Sequence, residues 1–231
     1  MLMQKLHSAW NYLCQGEFFA FVQSLCVFFL PKCLLRAEKL YLYQLTMEKS
    51  PLESTARHVV PGGAAEVQEI VESFDNGNPT MAELYRTFLE RGAEPWCLQE
   101  NGRILGVVWF FRKRYRIPWE GYDAYVFGIN LEPTKAFVAN VFVAPNSRGR
   151  GLFAEIVRAF LDSNPETTLF SSVSASNPIS LRAHEKIGFR RIGTLHLLRI
   201  MNIAFGRFSL WKSASRLLRL RRGMEVEISL E

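Results

Sequence analysis

Residues 137–161, FVANVFVAPNSRGRGLFAEIVRAFL, set two arginines and two glycines between an apolar run and a second run of helical periodicity. Val138, Val141, Phe142 and Val143 favour a strand, and Pro145 and Asn146 stop it. Leu152, Phe153, Ile156, Val157, Phe160 and Leu161 then recur at helical spacing. The first backbone N–H groups of a helix lack helical partners and point outward with the positive end of the peptide dipoles, which suits a phosphate. Gly149 and Gly151 let that backbone approach a ligand closely, and Arg148 and Arg150 add positive charge. The chemistry this stretch is suited to is the binding of a pyrophosphate or a similar dianion.

Three phosphate-binding readings compete for it. A Walker loop is excluded, because no Gly-Lys-Ser/Thr follows to reach a terminal phosphate or hold magnesium. A dinucleotide fingerprint is formally present in Gly149, Gly151 and Ala154, but the next strand candidate, residues 167–174, ends in serines and not in an acid that would hold a ribose. The pattern Val143-x-Pro145-x-x-Arg148-Gly149-x-Gly151 resembles the acetyl-coenzyme A loop of the GCN5-related N-acetyltransferase (GNAT) family. In that family, backbone amides at a helix start hold the pyrophosphate of the cofactor.

A second stretch, residues 174–193, carries the rest of the resemblance. Asn177 can cap a helix, Pro178 suits its first turn, and Gly188 can end it in a left-handed conformation, so a helix is expected over residues 178–187 with a strand after it. Asn177, Ser180, His184 and the pair Gly188-Phe189 are similar to the later motif of the family. The resemblance covers roughly residues 56–200. It implies acetyl-CoA as co-substrate, bound by Phe142, Val143, Arg148, Gly149, Arg150, Gly151, Leu152, Phe153, Asn177 and Ser180, with a backbone N–H near Phe142 and Val143 facing the developing oxyanion. It also implies that His184 stands where relatives often carry a tyrosine that protonates the departing thiolate. Two departures stand out. Ala139 and Asn140 occupy strand positions where some relatives have a carboxylate base, which leaves water relayed to Asp123 or Glu132, or an acceptor already neutral; Phe153 replaces a small residue, either crowding the pyrophosphate or facing the core.

The chain has 231 residues, 48% hydrophobic and 22% charged, enough for one substantial core with an appendage. A net charge of +6 permits an anionic ligand or membrane surface, and no aromatic-basic motif points to nucleic acid. Cys14, Cys26, Cys33 and Cys97 form neither a C-x-x-C pair nor a metal-binding spacing, so no metal is expected and a reducing cytoplasm is the simplest compartment.

The elements that would position these residues follow in order. Residues 1–50 are expected to form an N-terminal helical and strand extension. Within it, residues 18–30 are apolar apart from Gln23 and Ser24, a run of 13 residues, short of the roughly 18 needed to span a bilayer as a helix. This segment can pack on the domain or on a second copy of the chain as a homodimer, or lie in a membrane surface. Residues 40–47 read as strand, 48–55 as linker and 56–60 as strand. Two amphipathic helices, 64–74 and 80–91, flank a turn at 75–79, and family members place acceptor-binding residues on this pair. Asn101-Gly102 joins a hairpin of residues 96–99 and 104–111. Residues 112–135 read as an irregular loop, either walling the acceptor side or a plain insertion whose clustered cations are a solvated face. The tail, residues 205–231, reads as a basic amphipathic helix over 205–222, able to lie on a membrane or to pack on its own domain.

The expected fold is therefore mixed α/β, of the α+β kind: a GNAT-like, mostly antiparallel central sheet flanked by helices, over residues 51–204. The expected activity is N-acyl transfer from a coenzyme A thioester to a small-molecule amine. The run of residues 177–186, with the N-terminal extension, is similar to bacterial members associated with surface polysaccharide synthesis, which implies an amino sugar as acceptor. The alternative is a non-catalytic module that keeps the fold to bind acyl-CoA, a partner or a membrane.

Overall fold

The structure, a computed structural model, describes residues 35–46, 58–74, 79–119, 125–201, 203–210, 216–221, 224–228 and 230. The expected N-terminal helices, the linker at 48–55 and the turn at 75–78 lie outside these residues, as do Tyr122 and Asp123. In chain order the described elements are β1 (Leu35–Leu45), β2 (His58–Pro61), α1 (Ala64–Phe74), α2 (Pro79–Glu90), β3 (Glu94–Glu100), β4 (Arg103–Phe111), β5 (Arg114–Trp119), β6 (Tyr125–Asn130) and β7 (Lys135–Val143). After β7 come a 3-10 turn (Pro145–Ser147), α3 (Leu152–Ser163), β8 (Thr168–Ser174), α4 (Pro178–Ile187), β9 (Arg190–Ile200), β10 (Ile203–Leu210), β11 (Arg216–Leu220) and β12 (Met224–Ile228). The fold is mixed α/β with a largely antiparallel sheet, as the sequence leads one to expect.

The chain divides into two compact units. One, the loop unit, comprises residues 45–115, 129–171 and 229–231; the other, the hairpin unit, comprises residues 1–44, 116–128 and 172–228.

In the loop unit the strand order is β8-β7-β4-β3-β2, and only β7 and β8 pair in parallel. Asn101 (φ 53°) and Gly102 (φ 73°) are both left-handed, as a type I′ turn requires, and their twist closes the β3–β4 hairpin. Helix α3 packs on β3, β4 and β7 through the side chains its periodicity marked: Leu152, Phe153, Ile156, Val157, Phe160 and Leu161 are all buried. Phe160 stacks on Phe110 with centroids 3.7 Å apart and meets Trp96 edge-on at 5.3 Å. Truncating Phe160 to alanine would cost about 3 to 5 kcal/mol. On the other face of the sheet Trp109 is fully buried against Tyr85 and Phe88, and Phe137 against Tyr115, so β4 and β7 run through the middle of the core.

In the hairpin unit the order is β11-β10-β9-β1, all antiparallel. Leu42, Leu195, Leu197, Ala204 and Leu220 are buried on one face, and a side chain at Gly206 would come within 3.2 Å of Phe127. β12, β6 and β5 form a separate three-stranded sheet.

Two expectations are corrected. Residues 114–119 and 125–130 are strands and not part of an irregular loop. Two cations of the stretch 112–116 have side-chain partners: Arg112 donates to Glu94 and Asn164, and Arg116 pairs with Glu225 at 3.4 Å. Over its described residues the tail is likewise three strands, β10 to β12, and not a helix. Phe205 and Arg207 alternate with buried Ala204 and Gly206, a period of two that pairing with β9 selects.

Candidate active site

The parallel pairing of β7 with β8 is registered from Lys135↔Thr168 to Val138↔Ser171, where the Ser171 hydroxyl donates to the Val138 carbonyl at 3.1 Å. β7 runs on to Val143 against β4 alone in register. On that side Val107 pairs with Phe142 and Trp109 with Ala139, so Asn140 and Val141 oppose the single residue Val108. This is a β-bulge, and Asn140 adopts the left-handed conformation (φ 47°) that asparagine tolerates better than most residues. A bulge re-aims the peptides beyond it.

Those peptides can be oriented. The Ala144 N–H donates to the Leu105 carbonyl of the β4 side at 2.8 Å. The Phe142 carbonyl faces the same way, since a side chain at Gly106 would meet it at 3.1 Å. Strand peptides alternate, so the N–H and carbonyl of Val143, between them, point away from β4. Of the two residues expected to supply the oxyanion donor, Val143 is the one with this orientation. Its carbonyl accepts from Arg148 Nε at 3.2 Å, which holds the loop against the strand end.

After Val143 the chain turns through the 3-10 turn, closed by Ser147 N–H to the Ala144 carbonyl at 2.8 Å. Gly149 (φ 79°) and Gly151 (φ 80°) are both left-handed, and a Cβ on either would meet nothing within 4 Å. The glycines are therefore required by backbone conformation, and the space beside them is open. The first helical bond of α3 runs from Glu155 N–H to the Gly151 carbonyl at 3.2 Å, so the amides of residues 152–154 project from the helix start. Leu152 and Phe153 can contribute only these backbone groups, because their side chains are 2% and 8% exposed. Phe153 faces the core and leaves the loop uncrowded. Arg148 and Arg150 are exposed, and Arg150 reaches both carboxylate oxygens of Glu100, at 2.9 and 3.3 Å. Two left-handed glycines, projecting amides, two arginines and open space fit a pyrophosphate.

The remaining expected residues stand together on α4 in the hairpin unit. Asn177 Oδ1 accepts from the Ser180 N–H at 3.1 Å, an N-cap, and Gly188 (φ 104°) ends the helix as expected. His184 is 3% exposed. Its Nδ1 lies 2.8 Å from the Ser180 carbonyl, which can only accept, so Nδ1 carries the proton. The ring lies against Tyr43 and Phe189. Burial lowers the pKa of His184, outweighing the hydrogen bond that raises it. The Tyr43 hydroxyl donates to Glu185 at 3.3 Å, and burial first, with the Glu185 charge second, pushes its pKa up to about 12. His184 is thus neutral at pH 7, with its one proton committed to Ser180. That protonation state does not suit the acid role expected for it.

Sequence reasoning missed Glu100 as the partner of Arg150 and Tyr43 as the ring on His184. Both are long-range pairings for which no local signal exists, 50 residues apart for Glu100 and Arg150. Among the described residues no group of three or more His, Cys, Asp or Glu side chains could hold a metal ion.

A family model described as "Acetyltransferase (GNAT) family" matches residues 65–189, more than half of the chain and inclusive of both motif stretches up to Phe189. The chain belongs to the acetyltransferase (GNAT) family. GNAT proteins use acetyl-CoA as acyl donor. Among solved structures, an acetyltransferase from the GNAT family from Colwellia psychrerythraea is 15% identical with a TM-score of 0.50, covering 76% of this chain and 57% of that one. A putative GNAT acetyltransferase from Novosphingobium aromaticivorans is 17% identical with a TM-score of 0.45, covering 71% and 66%. AAC(6')-Iy in complex with a bisubstrate analogue, CoA-S-monomethyl-acetylneamine, is 15% identical with a TM-score of 0.43, covering 59% and 92%. The chain thus spans 66% and 57% of the length of the first two, less than two thirds. No curated protein matches it.

Proposed function

We propose that this GNAT protein is an N-acyltransferase that moves an acetyl group from acetyl-CoA to the amine of a small molecule. The observation that carries the reading is the turn from β7 into α3, where Gly149 and Gly151 are both left-handed, face open space and precede the projecting amides of the helix start. In this reading the projecting amides of residues 152–154, reached past Gly149 and Gly151, and the guanidinium groups of Arg148 and Arg150 hold the pyrophosphate.

When bound, acetyl-CoA supplies an acyl group activated as a thioester. The Val143 N–H, directed away from β4 by the bulge, donates to the carbonyl oxygen as negative charge develops there. β7 offers no carboxylate to deprotonate the acceptor, and Glu132 pairs with Lys135 at 3.0 Å. The acceptor amine therefore reacts as its neutral form, and the proton it loses passes to solvent. His184, neutral and bound to Ser180, positions α4 and is not the source of the thiolate's proton.

The acceptor we favour is an amino sugar, which the likeness of residues 177–186 and the N-terminal extension to bacterial members associated with surface polysaccharide synthesis would imply; no comparison supports that association. The second reading, a module that binds acyl-CoA without turnover, draws on the absence of a carboxylate from β7 and on the burial of His184. Release of free thiol from acetyl-CoA in the presence of a panel of amino sugars and other amines separates the two. Amine-dependent thiol release supports the enzyme, and binding without release for any amine supports the module.

A further inference from the structure

The β9–β10 hairpin ends in an apolar tip. Ile200, Met201 and Ile203 are 47%, 61% and 43% exposed, and Met201 is left-handed (φ 54°) at the turn. β-Branched and long aliphatic side chains at a hairpin tip contribute nothing to the core, and three together need an account.

The surroundings supply one. Cross-strand register places Leu35, the first residue of β1, opposite Ile200, and Ile200 opposite Ile203. One row in, Arg36 lies opposite Arg199 and Ala204 opposite Leu220, so Arg221 sits beside the tip; Arg219 is a further row back. Arg219 and Arg221 are exposed. Glu38 pairs with Arg36 at 3.8 Å. Over residues 190–224 the sequence carries nine Arg or Lys and no Asp or Glu.

An aliphatic tip inside an arginine collar matches the interface of an anionic bilayer, where the tip enters the acyl boundary and the collar meets phosphate headgroups. It has no aromatic ring to stack on a base, which sets lipid above nucleic acid. The chain before β1 joins at this same end, through Leu35, and carries the apolar run of residues 18–30. No helix among the described residues is long and apolar enough to cross a membrane, so the contact is peripheral as far as these residues make it. We propose that the β9–β10 tip, with the exposed Arg219 and Arg221 beside it, docks the protein on the surface of an anionic phospholipid membrane.

The test is flotation of the full-length protein with vesicles of phosphatidylcholine mixed with phosphatidylglycerol, and with phosphatidylcholine alone. The protein should float with the anionic vesicles, less so as salt rises, and not with the neutral ones. Ile200→Thr, Met201→Asn and Ile203→Thr together keep strand and turn propensity while removing the apolar tip, and should lower the bound fraction at least about tenfold. Arg219→Gln with Arg221→Gln should lower it in low salt. Unchanged thermal unfolding shows that both variants fold. Failure of the wild type to float, or flotation of the tip variant equal to the wild type, overturns the proposal, the latter outcome assigning binding to residues outside the tip. A tip variant that turns a dimer into a monomer without affecting flotation assigns the tip to a second copy of the chain and also overturns it.

Discussion

The Nδ1–H of His184 donates to the carbonyl oxygen of Ser180, four residues earlier on the same helix, at 2.8 Å. The imidazole is thereby fixed in one tautomer, against Tyr43 on one strand and Phe189 beyond the helix end. A histidine held this way is part of the packing of α4, and its titration becomes a stability term.

The sign of that term follows from its pKa, which burial holds below the ordinary value. The unfolded chain binds this proton at a higher pH than the folded one, so stability is complete above about pH 6.5 and is lost as pH falls below it toward the folded-state value. Urea melts at pH 7.5 and 5.5 should show a smaller pH-dependent loss for His184→Phe than for the wild type. In turnover assays His184→Gln should stay within about threefold of the wild type. A drop of about a hundredfold in kcat with KM unchanged would return the acid role to this residue.

Glu100 holds Arg150, so under the proposed reading it competes with the pyrophosphate for that guanidinium. The two side chains are 41% and 29% exposed, so the pair adds less than about 1 kcal/mol to stability. Glu100→Gln should leave the unfolding midpoint nearly unchanged and tighten acetyl-CoA binding a few-fold at low salt. Arg150→Ala should weaken it, and a salt titration checks that both effects are electrostatic.

The Asn177 side chain caps α4 through the Ser180 N–H. Asn177→Ala should cost about 1 kcal/mol in urea unfolding, and Asn177→Asp should cost much less. Acetyl-CoA affinity measured on the aspartate variant tells whether Asn177 also touches the cofactor, as the family resemblance implies: a cap alone predicts no change.

Gly151 is required for its left-handed backbone, with open space where a side chain would stand. Gly151→Val should cost about 1 to 2 kcal/mol of strain and remove detectable acetyl-CoA binding. Gly151→Asn tolerates the conformation better, so it should retain stability while its side chain occupies the approach to the amides.

What could be read from the sequence was local. The buried stripe of α3, the Asn101-Gly102 turn, the Asn177 cap and the Gly188 terminus each rest on residues within a few positions of one another, and each stands as expected. The misread segments depend on distant partners. Pro118 and the cations at 112–116 hide β5, whose sheet is completed by β12 near the other end of the chain. The basic and apolar residues of 205–222 fit helix and strand periodicities alike until β9 provides a partner. At the site, the loop glycines announced themselves, whereas the bulge at Asn140 and the Glu100–Arg150 pair arise only when β4 and β3 lie alongside.

The central claim is that the turn between β7 and α3 binds the pyrophosphate of acetyl-CoA, and calorimetric titration of the purified protein with acetyl-CoA, with NAD as control, tests it most directly. Micromolar binding of acetyl-CoA, no binding of NAD and loss of the acetyl-CoA signal in Gly151→Val is the predicted result. Absence of acetyl-CoA binding, or equal affinity in the Gly151→Val protein, would contradict it.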